Sequence, residues 1–304
     1  MMTMNMMMRM ITTDDIGRLA LEAMLLEVSA TPKPGLVDRN NPGAHDDMDF
    51  FTFMRSAASL AGSFYDFEEA GFNGGANGVP PTEIFPQIRR IGITAEKRMF
   101  SATNGINTHK GEIFSLGLLS SCAGYLAGSG HEVTAEGAMT LAGEMCAGIC
   151  ERDFAGVREK PAAMLTKGER VFIEYGITGI RGEAEAGYPA VRDVALPALR
   201  GYLDGGMCMN DALAMTLIHI MAQAHDTNII SRHNMTTARD VMNLAREMVR
   251  SGFTVEDIRR LDREFIAGWI SPGGAGDLLA VTCFMYSISQ EAGNTIPTIS
   301  PPES

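Results

Sequence analysis

Residues 16–28 read IGRLALEAMLLEV, and Ile16, Leu19, Ala20, Ala23, Met24 and Leu26 recur at the three- and four-residue steps of one helix face. Polar and apolar residues do not alternate, so the period is that of a helix packed on one side, not of a half-buried strand. Working outward, the same period holds at 50–67, 113–126, 135–154, 162–175, 212–224, 236–249, 255–266 and 278–290, and strand-like alternation is nearly absent. The pattern predicts an all-α protein, a multi-helix globular bundle. Residues 71–81, GFNGGANGVPP, read as the longest internal loop because Gly, Asn and Pro punctuate them. With no repeat of fixed period, the expected organisation is one helical domain over 13–292, a loose Met-rich tail over 1–12 and a C-terminal tail over 293–304.

Residues 113–130 carry no charge and approach the roughly 20 residues that span a bilayer. They also contain Ser115, Gly117, Ser120, Ser121, Gly124, Gly128 and Ser129, small residues that let helices pack closely, so a buried core helix is expected and no membrane partner. The 25 Lys and Arg against 37 Asp and Glu give a net charge of −12, and no cationic run is present. That excludes the usual footprint of a nucleic-acid binder. A polyanionic substrate would have to be met by local cations, Mg²⁺ or helix N-termini. The five cysteines, Cys122, Cys146, Cys150, Cys208 and Cys283, are odd in number and form no C-x-x-C pair. They read as small apolar residues in a reducing compartment, which with no cleavable leader at the Met-rich start predicts a cytoplasmic protein.

The polar signals gather in six short segments between helical stretches: TPKPGLVDR (31–39), GAHDDMD (43–49), ATNGINTHKG (102–111), TGIRGEAEAG (178–187), DTNIISR (226–232) and SPGGAGD (271–277). Their number predicts Gly-rich loops converging on one active-site face. Ser271 and Pro272 suit a helix start, and Gly273 and Gly274 leave backbone N–H groups bare, as either a plain cap or a phosphate nest requires. Lys33, Arg39, Lys110, Arg181 and Arg232 are loop cations that read singly as solvated charges and together as an anion site. Asp46, Asp47 and Asp49 precede an apolar helix, where acids either cap the helix or hold Mg²⁺. Asp226, Asp277 and Glu183 are further acids in the segments, and His45 and His109 lie there too, whereas His219 sits in an apolar helix and reads as a hydrogen-bonded core residue. P-loop, dinucleotide-fold, zincin and nucleophile-elbow motifs are all missing from the sequence.

Taken in order, EVSATPKPGLVDR, GAHDDMDFFTF, ATNGINTHKGEIFSLGLL, YGITGIRGEAEAGYP, DTNIISR and ISPGGAGDLLAVT resemble the triphosphoribosyl-dephospho-coenzyme A synthase family, over about residues 27–282. The resemblance implies an all-helical transferase that joins ATP to 3′-dephospho-coenzyme A through the acceptor's ribose 2′-hydroxyl, releasing adenine. The product is the precursor of the prosthetic group of an acyl carrier protein, in citrate lyase or malonate decarboxylase, and DMDFFTF looks closer to the citrate lyase branch. It further implies Glu183 or Asp226 as base or oxocarbenium stabiliser and His109 as proton donor. Lys33, Lys110, Arg181 and Arg232 would clamp the triphosphate, with Arg39, Asn104, Asn107, Ser271, Gly273 and Gly274 as further substrate contacts. Mg²⁺ would sit on Asp47 with Asp226 or Asp277, and a downstream carrier-protein transfer enzyme is the implied partner. Two positions depart from the family pattern: Glu112 replaces a small residue, and Ala275 stands where a Ser is frequent.

Two other readings differ in kind. His45-Asp46 and His225-Asp226 are His-Asp pairs of the sort that helical metal-dependent phosphohydrolases use, a reading that phosphate release would support. A non-catalytic adaptor for the carrier protein would instead expose an apolar helix face, which six polar loops argue against.

Overall fold

The computed structural model describes residues 6–8, 13–223, 225–293 and 295–297. The helices follow as α1 (Thr13–Ser29), α2 (Phe50–Ala76), α3 (Pro81–Ala102), α4 (Lys110–Gly128), α5 (Ala135–Met145), α6 (Ile149–Phe154) and α7 (Lys167–Tyr175). They continue as α8 (Ile180–Glu185), α9 (Leu196–Asp204), α10 (Met209–Met221), α11 (Thr227–Arg232), α12 (Met235–Ser251), α13 (Val255–Ala267) and α14 (Gly273–Gly293). A π-helical turn at Ala190–Ala195 runs into α9. Strand β1 (Met6–Met8) pairs antiparallel with β2 (Thr295–Pro297), the only described part of the expected tail 1–12 and, with α14's last residue, of the tail 293–304. The protein is all-α apart from this short pairing.

The segment weighed as a membrane span is α4, the centre of the fold, with Leu116, Leu118, Leu119 and Cys122 fully buried. No described helix is long and apolar enough to cross a membrane. The α2–α4 crossing explains why residues 71–76 are helical and not loop. A Cβ at Gly71 would fall 1.9 Å from the Ser121 carbonyl oxygen, and one at Gly124 would fall 2.3 Å from that of Glu68. The two backbones touch where neither carries a side chain, and this close packing outweighs the helix propensity that glycine costs, about 1 kcal/mol per residue. The loop is therefore only residues 77–80.

Helix α3 escaped the pattern reading, although Ile84, Phe85, Ile88, Ala95 and Met99 make a buried stripe at helical spacing. The stretch expected as one helix over 135–154 splits where Gly148 takes φ +74, outside the helical region, between α5 and α6. Helix starts are chemically marked. Asp49 and Thr52 form a capping box on α2, as do Thr166 and Glu169 on α7 and Thr254 and Asp257 on α13. All five cysteines are free, and Cys122, Cys146 and Cys283 are buried. His219 is half-buried and bonded to the Tyr202 hydroxyl at 2.8 Å, the structural role its sequence context suggested.

Candidate active site

The loop between α1 and α2 folds back on itself before it reaches the site. Asp38 Oδ1 accepts the Asn40 and Asn41 N–H groups at 2.7 and 3.0 Å, and its Oδ2 accepts that of Lys33 at 3.3 Å. Gly35, at φ +67, donates its N–H to Asp262 Oδ1 of α13 at 2.9 Å, and a Cβ there would collide with the Ile270 carbonyl oxygen. The pinned loop returns the buried Lys33 onto α1, where its Nζ meets Glu27 Oε1 at 2.5 Å.

A cavity of about 530 Å³ opens beside this pair. All six polar segments reach it: Leu36, Val37, His45, Asp46 and Asp47 from one side, Asn107, Thr108, Lys110 and Gly111 from α4's start, then Arg181, Asn228, Arg232, Ser271, Gly273 and Asp277. Glu183, two residues beyond Arg181 in the same segment, lines a second cavity of about 370 Å³ that shares Ile180, Thr227 and Asp277 with the first. A third, of about 180 Å³, shares Glu96, Phe114 and Arg181.

The rim carries both signs, with exposed Asp46 and Asp47 beside the cations, whereas the buried charged groups on the lining are acids. Lys110, Lys167, Arg181 and Arg232 lie on the lining with substantial exposure, while Glu27 and Glu112 on the same lining are buried. Lys110 pairs with Glu96 at 2.9 Å, and Arg181 with Asp153 at 2.8 Å, Asp153 also accepting from Arg89. Arg232 donates to the Ala44 carbonyl at 2.9 Å. Half-buried Asp277 rests on the first turn of α4, where a Cβ at Gly111 would fall 2.0 Å from its Oδ2. Only glycine leaves room for that carboxylate. Burial first, then the neighbouring acids, holds the Glu112 and Asp277 carboxyls well above the usual carboxylate range. Burial likewise raises Glu27, but the Lys33 charge pulls it back. Burial also raises Glu183, whose Oε2 accepts the Ala190 N–H at 3.2 Å.

Several expected roles change. The nest at the start of α14 is filled from within: Asp226 Oδ2 accepts the Ala275 N–H at 2.9 Å, and its Oδ1 accepts those of Asn228 and Ile229. A carboxylate thus already occupies one N–H of the turn expected to bind phosphate, while Gly273 still lines the main cavity. Ser271 does not cap α14; its Oγ lies 2.9 Å from His45 Nε2, with Asp47 Oδ1 3.6 Å from the other ring nitrogen. Lys33 does not line a described cavity, and its charge is spent on Glu27. Exposed Arg39 donates to Asn210 Oδ1 at 3.0 Å, and exposed Asn104 sits in a turn at φ +56; neither lines a described cavity. Asn107 both lines the cavity and accepts the Lys110 N–H at 3.3 Å.

His109 is fully buried, its Nδ1 2.6 Å from Ser56 Oγ and its ring edge-on to Phe53. Burial and the Lys33 charge push its pKa down to about 3, so the ring is neutral at physiological pH and supplies no imidazolium for the proton-donor role expected of it. Among the described residues, no group of three or more His, Cys, Asp and Glu side chains is arranged to hold a metal ion, so Asp47, Asp226 and Asp277 do not form a ready cage. The sequence reading passed over Glu27, Glu96 and Lys167, which line the main cavity from outside the six segments. Glu27 did carry a signal, a lone acid within the apolar period of α1.

Comparison with known proteins follows the same line. The profile of a family described as ATP:dephospho-CoA triphosphoribosyl transferase matches residues 13–296. The chain is 38% identical over 277 residues to the 2-(5″-triphosphoribosyl)-3′-dephosphocoenzyme-A synthase of Pectobacterium atrosepticum, covering 91% of this chain and 90% of that protein. Against the synthase of the same name from Klebsiella pneumoniae it is 36% identical, covering 90% and 91%. Against the probable synthase of Vibrio cholerae it is 39% identical, covering 90% and 88%. No solved structure matches the chain.

Proposed function

The chain belongs to the ATP:dephospho-CoA triphosphoribosyl transferase family, and from that premise we propose how the cavity divides the reaction between a cationic rim and an acidic floor. The observation that carries this reading is that the cations of the lining all stand at its open side, beside Asp46 and Asp47, while its buried charged groups are both acids. Lys110, Lys167, Arg181 and Arg232 are exposed on the lining, and buried Glu27 and Glu112 lie within it. A triphosphate seeks the first set, and a ribose carbon gaining positive charge seeks the second.

On this reading the triphosphate of ATP lies along the rim and the reacting ribose over the floor. Adenine enters the cavity of about 370 Å³, walled by Ile177, Ile180, Ile220, Val241, Met242 and Leu278. The acceptor's 2′-hydroxyl oxygen bonds to the anomeric carbon as that carbon's bond to adenine breaks, and the electron pair leaves on adenine. Glu183, kept toward its protonated form by burial, gives the departing base its proton. Asp226, on the lining of the adenine cavity and bonded to backbone N–H groups that favour its ionised form, takes the proton of the hydroxyl. Mg²⁺ fits as the companion of the triphosphate. Asp47, 56% exposed, is the carboxylate that would hold it, and the ion would offset charge on the triphosphate.

The product is the prosthetic-group precursor of an acyl carrier protein, and we assign it to the citrate lyase branch on the sequence of residues 47–53, with a carrier-protein transfer enzyme as the next partner. Five free cysteines and nucleotide substrates support a cytoplasmic location. The test compares acceptors. Because the nucleophile is a 2′-hydroxyl, a neighbouring 3′-phosphate crowds and charges the attack site, so adenine release should be fast with 3′-dephospho-coenzyme A and slow with intact coenzyme A. Equal rates with both would overturn this account of the acceptor.

A further inference from the structure

We propose that Glu27 is a catalytic residue of this site, the carboxylate that stabilises positive charge at the anomeric carbon of ATP as adenine departs, and that Lys33 is its positioning residue. The proposal rests on the glycosyl-transfer reading above and gives a role to Glu27, which opens the EVSATPKPGLVDR stretch but is assigned none there.

Eight acids line the two larger cavities; Asp46, Asp47 and Glu96 are at least partly exposed, Glu183 has its proton-donor role above, and the surroundings of the other four differ. Asp226 is committed to backbone N–H groups of two helices. Asp277 is wedged against Gly111 and has no cation beside it among the described contacts. Glu112 is buried with Oε2 unpartnered and forms no described ion pair. Glu27 alone combines three properties: it lines the main cavity, it is ion-paired on one oxygen by a lysine 1% exposed, and its other oxygen is buried without any partner. A buried carboxylate oxygen with no donor is expensive to maintain, and natural proteins keep such a group where a ligand completes it.

Lys33 explains how the charge persists. A carboxylate in this much apolar surrounding would take up a proton unless a fixed cation held it ionised, and the loop clamped by Asp38 and Asp262 holds that cation in place. The free oxygen then presents negative charge with no reorganisation as the substrate's positive charge develops, the arrangement from which electrostatic catalysis draws most. Glu27 forms no bond to the substrate in this scheme.

The experiment uses the whole chain with saturating ATP, Mg²⁺ and 3′-dephospho-coenzyme A. Glu27→Gln should lower kcat for adenine release by about 10²-fold or more, with KM for ATP changed less than about threefold. Lys33→Met should do the same, and Lys33→Arg should recover part of kcat. An ATP analogue whose ribose ring is a protonated pyrrolidine should bind wild type far more tightly than it binds Glu27→Gln, while ATP itself binds both alike. If either single variant fails to fold, the double variant Glu27→Gln/Lys33→Met, which buries no lone charge, is measured in its place and must be equally slow. The proposal is overturned if Glu27→Gln or the double variant keeps kcat within a few-fold of wild type, or if the loss falls on ATP binding and not on kcat. Wild type that releases phosphate and no adenine would instead overturn the reading beneath it.

Discussion

Asp226 and Ala275 are joined by a 2.9 Å hydrogen bond from the Ala275 N–H to Asp226 Oδ2, so the carboxylate that caps α11 also closes the start of α14. Asn fits the same space but would turn an NH₂ toward an N–H. Asp226→Asn should therefore destabilise the fold by about 1–3 kcal/mol, the cost of a buried donor left unmade. Urea denaturation checks this, and an unchanged midpoint would mean that the bridge contributes nothing.

Asp47 and Asp49 separate the capping role from the chemical one. Asp49 accepts the Thr52 N–H at 2.8 Å and is the cap of α2, whereas Asp47 caps nothing described and is 56% exposed. Asp49→Ala should lower stability by about 1 kcal/mol and leave adenine release intact. Asp47→Asn should leave the melting temperature alone and cut turnover, with partial recovery at raised Mg²⁺. Full turnover in Asp47→Asn would remove it from the site.

How much of this was legible in the sequence depended on whether the signal was local. Helical period announced α1 and α4, and the six polar segments marked most of the cavity wall, because loops that hold polar side chains near a ligand must be rich in Gly and polar residues. Contacts between distant segments left no such trace. Gly71 looked like a loop former until α4 was seen to lie against it. Lys33 looked like a substrate cation because sequence order does not show that its chain folds back onto Glu27, which read as one more turn of a helix. Asp226 looked like a free acid, since the Ala275 N–H it accepts is 49 residues away.

Glu112 gives the site a pH signature. Its folded pKa is raised well above the ordinary 4.5 by burial and by Glu27 and Asp277, so the stability it contributes is fully present below that ordinary value and is lost as pH rises through the higher folded one. Wild type should therefore lose stability relative to Glu112→Gln as pH increases above about 4.5. Thermal melts of both proteins from acid to mildly alkaline pH check the sign. A wild type that holds or gains stability relative to Glu112→Gln as pH rises would contradict it.

The rim cations should act on binding. Lys110→Ala and Arg181→Ala should each weaken use of ATP by about 1.5–3 kcal/mol, the range for hydrogen bonds to charged groups, with the circular dichroism spectrum unchanged. Their existing partners, Glu96 and Asp153, set the effect toward the low end, since ATP must compete with them. Wild-type kcat/KM would show these cations to be solvated surface charge.

The account turns on which bond of ATP breaks, and two labels on one substrate report that directly. Wild-type protein is given Mg²⁺, 3′-dephospho-coenzyme A and ATP labelled both in the adenine ring and at the γ-phosphate, and the products are separated by chromatography. The account predicts that the ring label leaves as free adenine while the γ-phosphate label enters the coenzyme conjugate at the same rate, one for one. Release of the γ label as inorganic phosphate, with the ring label still attached to ribose, would contradict it.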